Sequence, residues 1–458
     1  MTTAARPRLS LAALAWPILV ESGSRVLIGT VDTFMVSRVS DGAVAALGVA
    51  NQVVNLGLML FTFIGAGSTV VMTHHLGAGD RRGADRIAAL AMSINGWLGL
   101  LVSAAVVALA ALVLRLMQLP SALMGYALPF LRIMGGTLVI ESVNVVMSAT
   151  LRARGRTRET MAVMLGQNAL NAVGNCLLLF GLAGLPRLGV VGVAISGVVS
   201  RVVAFAALRA MVHRRTGVRV GVRDAFSFPA AQVRRVLELG VPIAGENVCW
   251  ALAFMAVTSF VARMGASSLA AQSYTMQLTT WATLLGSAVA FGNQILVGHL
   301  VGDGDLDEAY RQVWASLRAG LSLVIGMLAV LGMLAPRLLS FFTSDPATAS
   351  TGVLLVRMAV LLETGRVSNL IVINALRAAG DARFPVLMAM ASMWLVQVPL
   401  AWLLGLHLGL GVPGVWIALA TDEWLRAGIM QRRWRRRTWH RHAERSRAMA
   451  AAAHARES

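Results

Sequence analysis

The chain has 458 residues, of which 57% are hydrophobic and 13% are charged. Soluble domains are usually about one quarter charged, so this composition excludes an ordinary soluble protein and indicates an integral membrane protein. The apolar runs are continuous and do not alternate with polar residues, which favours membrane-spanning helices over a β-barrel. The formal net charge of +19 does not predict a nucleic acid partner, because the basic residues fall between apolar segments and in the tail. There they are better explained as topology signals and contacts to anionic membrane lipid.

Twelve apolar segments follow one another, and each reaches the roughly 20 residues that a membrane-spanning helix needs. They are residues 11–37, 44–76, 85–115, 122–151, 158–183, 189–213, 233–263, 268–300, 309–342, 347–376, 383–406 and 411–431. We therefore expect an all-α integral membrane protein built from two six-helix bundles. The predicted parts are an N-terminal lobe (1–213), a cytoplasmic linker (214–232), a C-terminal lobe (233–431) and a basic cytoplasmic tail (432–458).

The first segment carries Glu21, Arg25 and Asp32 inside an apolar run. Their spacing of 4 and 7 residues places all three near one face of a helix. A charge near the bilayer centre costs ~2.5–3.5 kcal/mol on insertion scales, which favours a functional role. For Glu21 and Arg25 a second interpretation stays open, namely a buried pair that only fixes helix packing. Pro17 weakens the helix just before these charges and is the candidate hinge.

The distribution of arginine predicts the orientation. Most arginines lie before the first segment, in alternate loops, in the central linker and in the tail, whereas the other loops carry single arginines at Arg38, Arg187, Arg263 and Arg337. The positive-inside rule then places both termini and the linker in the cytoplasm. We expect the protein in a bacterial cytoplasmic (inner) membrane. The acidic loop at 302–312 departs from this pattern, but acidic residues count little in the rule.

A shift of 225 residues relates the two halves of the chain. It maps Pro17 onto Pro242, Glu21 onto Glu246, and LRARG at 151–155 onto LRAAG at 376–380. Near the ends of the halves the shift becomes 222, as for Gly189 and Gly411. Because each half has an even number of spans, both start on the same side, and a pseudo-two-fold axis along the membrane normal should relate them. This architecture favours alternating-access transport over a channel or a structural protein.

The repeat also pairs unlike charges. Glu141 and Arg366 occupy equivalent positions in helices 4 and 10. Near the pseudo-axis, the two side chains could approach one another or line a cleft from both halves. The alternative is a static ion pair of Arg366, for which Glu363 is the candidate partner. Asp422, Glu423 and Arg426 are expected at the cytoplasmic interface.

Several motifs in the right order resemble the multidrug and toxic compound extrusion (MATE) family. They are PILVE, VDTFMVSRVSDGAVAALG, HHLGAGD, the C-terminal copies of these, and LRAAGDARFP at 376–385. The resemblance covers essentially the whole chain. It implies an efflux antiporter in which inward H⁺ or Na⁺ drives the export of small organic, often cationic, compounds. We expect a monomer that needs no cofactor beyond the coupling ion.

The same resemblance implies an ion-coupling site in the N-terminal half. Asp32 matches the acidic residue of the family's cation site in helix 1, and Asn171 matches a site asparagine in helix 5. Asn175 stands where proton-coupled members often have aspartate, which leaves H⁺ and Na⁺ both open. Neutralisation of Asp32 would bias helix 1 toward a bent form. The alternative is that the two asparagines make interhelical hydrogen bonds only.

The C-terminal half departs from the family pattern. Members with a cation site there carry acidic residues in helices 7 and 10, and Trp250 and Arg366 stand at those places here. Glu246 lies one turn from Trp250 and is a possible substitute, although its repeat partner Glu21 indicates a shared structural role. The candidates for the substrate cleft are therefore Glu21, Glu246, Trp250, Glu141, Arg366 and Glu363.

Two other functions are alternatives to antiport. A lipid-linked oligosaccharide flippase of the same wider superfamily should show a more basic cleft and often has extra helices. A membrane enzyme would need a metal cluster or a nucleophile with its base, and no such spacing occurs in the sequence, so we expect no enzyme. Asp32 has Val257 at its repeat position, whereas Glu21 has Glu246. This asymmetry makes Asp32 a stronger candidate for ion coupling than Glu21.

Overall fold

The computed structural model describes residues 9–218 and 228–455, and these are almost entirely helical. The first half contains α1 (Leu11–Ser37), α2 (Asp41–Gly77), α3 (Arg81–Leu116), α4 (Met124–Gly136), α5 (Leu138–Ala153), α6 (Thr157–Phe180) and α7 (Val190–Arg215). The second half contains α8 (Ala230–Arg263), α9 (Ala266–Asp303), α10 (Leu306–Ser340), α11 (Pro346–Ala378), α12 (Arg383–His407), α13 (Gly411–Arg435) and α14 (His440–Ala455). The middle of the predicted linker and the ends of the chain lie outside the described residues.

Ten of the described helices are long and apolar enough to cross a membrane, or eleven when α4 and α5 count as one bent span. The twelfth predicted segment corresponds to α13. Three charged side chains in its interior, Asp422, Glu423 and Arg426, make its composition more polar than that of the other spans. The predicted all-α membrane architecture is therefore confirmed.

The fourth predicted segment is bent by 47° between α4 and α5. The sequence Gly135–Gly136–Thr137 lies at the break, and glycines in a helix interior weaken it. At the equivalent positions of the second half, Val360, Leu361 and Leu362 continue α11 without interruption. The difference in helix-forming residues explains why one half has a broken span and the other a continuous helix.

Helix α12 contains two π-helical stretches, Met393–Gln397 and Leu403–His407. Pro399 lies between them and has no N–H to donate to a carbonyl of the preceding turn. A wider π turn accommodates such a missing hydrogen bond within a helix that otherwise continues.

The chain forms two compact units. One comprises Met1–Leu19, Gly77–Gly79 and Pro242–Ser458, and the other comprises Val20–Leu76 and Asp80–Val241. Both α1 and α8 are thus divided between units. The division in each case falls within a few residues of the repeat-related prolines Pro17 and Pro242.

The same helix crossing occurs once within each unit. Gly67 of α2 faces Val236, and Gly292 of α9 faces Leu11, and the shift of 225 residues converts one contact into the other. A Cβ atom on Gly67 would lie 2.5 Å from the carbonyl oxygen of Val236, whereas one on Gly292 would lie 3.4 Å from the nearest atom of Leu11. The beginning of each half's first helix therefore packs on the second helix of the opposite half, and the two crossings differ in tightness.

Candidate functional site

Asp32 lies in the last third of α1 and contacts α6. Nδ2 of Asn175 donates to Oδ1 of Asp32 at 2.7 Å, and the same amide group lies 3.4 Å from Oδ1 of Asn171. Asn175 is fully buried, whereas Asp32 and Asn171 are half-buried. The structure therefore brings together all three residues for which the family resemblance implies a role in ion coupling.

The side chains of Asp32, Asn171 and Asn175 offer mainly oxygen atoms to a bound ion. Oδ1 of Asn175 is buried and has no hydrogen-bond partner within the described part of the chain. Together with the carboxylate of Asp32 and the amide oxygen of Asn171 it forms a set of hard oxygen ligands, the type that alkali and alkaline-earth cations prefer. Protonation of Asp32 is the other way to neutralise the site. No group of three or more His, Cys, Asp or Glu side chains among the described residues is placed to hold a metal ion.

Close packing of α6 on α7 fixes the two asparagines. Ser196 Oγ of α7 donates to the backbone carbonyl of Asn171 at 2.8 Å. A Cβ atom on Gly174 would lie 2.3 Å from that hydroxyl, so a glycine is required next to Asn175. The Asn-rich face of α6 is thereby held toward α1, where Asn168 also donates to Ser24 at 3.1 Å.

Glu21 is buried in a separate network. Nη1 of Arg152 donates to its Oε1 at 2.8 Å, and Thr160 Oγ1 donates to its Oε2 at 3.3 Å. Arg25 lies 3.6 Å away, and its side chain is 60% exposed. The dominant partner of Glu21 is therefore Arg152 of α5. Helical spacing predicts only Arg25 as a partner of Glu21, whereas Arg152 lies in the distant LRARG motif.

Glu246 has the equivalent environment in the second half. Arg377 of α11 donates to Glu246, and these residues are the repeat partners of Arg152 and Glu21. Trp250 lies one turn further along α8, where its ring stacks on Phe254 at a centroid distance of 5.4 Å and remains half exposed. The structure thus supports the shared structural role that the repeat suggested for Glu21 and Glu246.

Glu141 and Arg366 each have an ion-pair partner within their own unit. Arg201 Nε lies 3.8 Å from Oε2 of Glu141, and Arg366 Nε lies 3.5 Å from Oε1 of Glu423. The shift of 225 relates Glu141 to Arg366, and the shift of 222 relates Arg201 to Glu423. The two halves therefore contain the same interhelical salt bridge with its charges exchanged.

The second-half bridge belongs to a larger charged cluster. Arg366 Nη1 lies 2.5 Å from Glu363, to which Thr283 also donates at 2.8 Å. Arg426 lies 2.6 Å from Asp422 and 3.1 Å from Glu423. The expected Arg366–Glu363 pair is thus present.

The expectation of an interfacial position for Asp422, Glu423 and Arg426 is wrong. Helix α13 runs from Gly411 to Arg435, so these residues lie near its middle and not at its end. All three are buried. Oppositely charged neighbours make this burial possible, because a buried charge is tolerated when it is paired.

Known proteins resemble the chain over most of its length. A model of the MatE family matches residues 17–177 and 242–403, so each matched part begins at one of the two repeat-related prolines. The uncharacterized transporter YisQ of Bacillus subtilis (strain 168) is 40% identical over 430 residues, which cover 94% of each chain. The probable multidrug resistance protein NorM of Thermotoga maritima is 24% identical over 419 residues, which cover 91% of this chain and 89% of NorM.

A solved structure shows the same fold. A crystal structure of MATE in the bent conformation matches with a TM-score of 0.86 at 19% sequence identity, and the match covers 96% of each chain. The family match extends over both halves and includes the segments that carry Asp32, Asn171 and Asn175. The chain therefore belongs to the MATE family of membrane transporters.

Proposed function

We propose that this protein is a secondary active antiporter that exports small organic, often cationic compounds in exchange for inward H⁺ or Na⁺ by alternating access. Family membership and the relatives that are named probable multidrug resistance proteins support export of varied organic compounds. Asp32, with Asn171 and Asn175, is the proposed ion-coupling site.

One observation carries the assignment to Asp32. Six other carboxylates lie in the interior of the spans and are buried or half-buried, and each pairs with an arginine: Glu21, Glu141, Glu246, Glu363, Asp422 and Glu423. Asp32 instead accepts a hydrogen bond from a neutral amide, and no ion pair is formed to it within the described residues. A carboxylate without a counter-charge in a low-dielectric environment must bind a proton or a cation to become neutral. Of these seven groups, Asp32 is the one whose neutralisation is left to an external ion.

The proposed coupling follows because the ion and a cationic substrate both interact with the negative charge of Asp32. An ion that neutralises Asp32 removes the negative charge that would attract a cationic substrate to the same helix. Transport in one direction then requires that ion and substrate differ in their affinities for the two access states. The membrane potential contributes ~2.3 kcal/mol per inward charge for each 100 mV, and any pH or Na⁺ gradient adds to it.

The proposal includes the setting of the protein. The arginine distribution supports a bacterial inner membrane topology with both termini and the linker in the cytoplasm. We propose that the monomer is the transporting unit. Helices α1 and α8 are each divided between the two compact units, close to Pro17 and Pro242, and are the proposed hinges.

Competition between substrate and ion tests the site directly. Purified protein in detergent should bind the fluorescent cation ethidium, and Na⁺ or a lower pH should release it. In Asp32→Asn, the bound fraction should no longer respond to Na⁺ or to pH. The matched control is Asn168→Ala, which removes another amide contact between α6 and α1 and should keep the ion response. A wild-type ion response in Asp32→Asn would overturn the assignment.

A further inference from the structure

The arginine-rich segment after the last span is docked on its own unit. Arg433 Nε lies 2.5 Å from Asp381 in the loop between α11 and α12, and Arg437 Nη1 lies 2.7 Å from Asp307 at the start of α10. The guanidinium of Arg447 covers Gly304, and Ser446 covers Gly380. The segment 432–447 is therefore a fixed part of the unit surface.

A stacked tryptophan pair fixes the turn between α13 and α14. The rings of Trp434 and Trp439 are parallel with centroids 4.1 Å apart, and both side chains are fully buried. Arg437 has φ of 55°, a conformation that residues with a Cβ rarely adopt. The turn is thus held by packing, and it fixes the direction in which α14 leaves the last span.

Four arginines of this segment are not used for docking. Arg432, Arg436, Arg441 and Arg445 are exposed, and within the described residues no carboxylate pairs with them. They form two pairs at i, i+4 spacing, where like charges are neighbours on a helix surface and repel each other. We call these four residues the arginine platform. His440 adds no charge to it near neutral pH, because burial and the nearby charge of Arg437 lower its pKa.

From the length of α13 we expect the platform at the depth of lipid headgroups. Helix α13 has 25 residues. With a rise of about 1.5 Å per residue it slightly exceeds the ~30 Å hydrocarbon core, so its final turn reaches the headgroup region. Arg435 and Arg437 stack over Trp314 and Tyr310 of α10 at 5.0 and 4.8 Å. Tryptophan and tyrosine concentrate at the same membrane interface.

We propose that the arginine platform is a binding surface for the phosphate headgroups of anionic phospholipids. Guanidinium groups bind phosphate oxygens through charge-assisted and often bidentate hydrogen bonds. The anionic headgroups would relieve the repulsion within each i, i+4 pair. Because α14 also covers the loops between α9 and α10 and between α11 and α12, bound lipid should stabilise this unit as a whole.

The experiment titrates phosphatidylglycerol into the full-length protein in detergent and measures Tm. Phosphatidylglycerol should raise Tm, whereas phosphatidylcholine, inorganic phosphate and a short DNA duplex should not. In the variant Arg432→Gln, Arg436→Gln, Arg441→Gln, Arg445→Gln, the phosphatidylglycerol concentration at half-maximal effect should rise by about fivefold for each arginine removed. The control variant changes four exposed arginines elsewhere in the chain to glutamine, namely Arg38, Arg187, Arg263 and Arg337, and should respond like the wild type.

A second variant guards against a folding defect. Replacement of the same four arginines by lysine keeps the charge and should keep most of the response. A wild-type titration in the platform glutamine variant would overturn the proposal, and so would an equal loss in the control variant. A Tm increase with inorganic phosphate or DNA at the same charge concentration would also contradict a lipid surface.

Discussion

Arg152 donates to Glu21 at 2.8 Å within one compact unit, and Arg377 donates to Glu246 within the other. In both cases an interval of 131 residues separates the partners. Each bridge joins the first helix of its half to the helix that carries the LRARG or LRAAG motif. A contact that recurs in both halves is part of the shared scaffold, which separates Glu21 and Glu246 from the coupling role proposed for Asp32.

Removal of one partner of the first bridge should destabilise the protein. Glu21→Gln leaves Arg152 without its carboxylate in a mostly buried environment, which costs about 1–3 kcal/mol. A clear decrease in Tm is expected for the purified protein in detergent. Arg25→Gln should change Tm little, because that side chain is largely exposed and lies further from Glu21.

The double variant Glu21→Gln, Arg152→Gln completes the test. Two neutral amides remove the uncompensated charge, so the double variant should be more stable than the sum of the two single changes predicts. Additive losses in Tm would show that the two side chains do not interact.

The charge-exchanged bridges make a second prediction. Glu141→Arg and Arg201→Glu should each place two like charges together among buried side chains, and each should reduce folded yield and Tm severely. The double variant recreates the polarity that Arg366 and Glu423 already show in the other half. Its Tm should recover by an amount equivalent to at least about 1 kcal/mol over the additive expectation. Failure of any recovery would contradict the equivalence of the two bridges.

The two helix crossings predict that replacement by alanine destabilises the protein at Gly67 but is tolerated at its repeat partner Gly292. Gly67→Ala places a methyl group 2.5 Å from the backbone oxygen of Val236, so the helices must separate, and overpacking of this kind costs about 1–3 kcal/mol. Gly292→Ala meets its neighbours at 3.4–3.5 Å, an ordinary contact distance, and should leave Tm nearly unchanged. Equal effects of the two substitutions on Tm would contradict the difference in tightness.

Much of the fold could be predicted from the sequence, because membrane spans are long, apolar and repeated. The repeat predicts the environment of Glu246 from that of Glu21, and the family resemblance predicts that Asp32, Asn171 and Asn175 belong to one site. The bend after α4 could not be predicted, because Gly135 and Gly136 lie inside an otherwise apolar run that is long enough to span a membrane.

The partners of the intramembrane charges could not be predicted from local sequence. Arg152 is distant from Glu21 in the chain. The helical periodicity within one segment does not predict which residues of another helix it contacts. Asp422 and Glu423 were misplaced because polar residues near the end of a weakly apolar segment resemble a membrane interface. Their burial depends on Arg366 and Arg426, and so it becomes visible only when α11 and α13 are packed together.

The central claim is that Asp32 couples an ion to export. The most direct measurement is ethidium efflux by purified protein in proteoliposomes, under an imposed pH gradient or an imposed Na⁺ gradient, with Glu21→Gln as a control for stability. We expect wild type to be driven by one of the two gradients. Asp32→Asn should insert and fold normally but show no gradient-driven efflux, whereas Glu21→Gln should keep coupling for the fraction that folds. Gradient-driven efflux at the wild-type rate in Asp32→Asn would contradict the account.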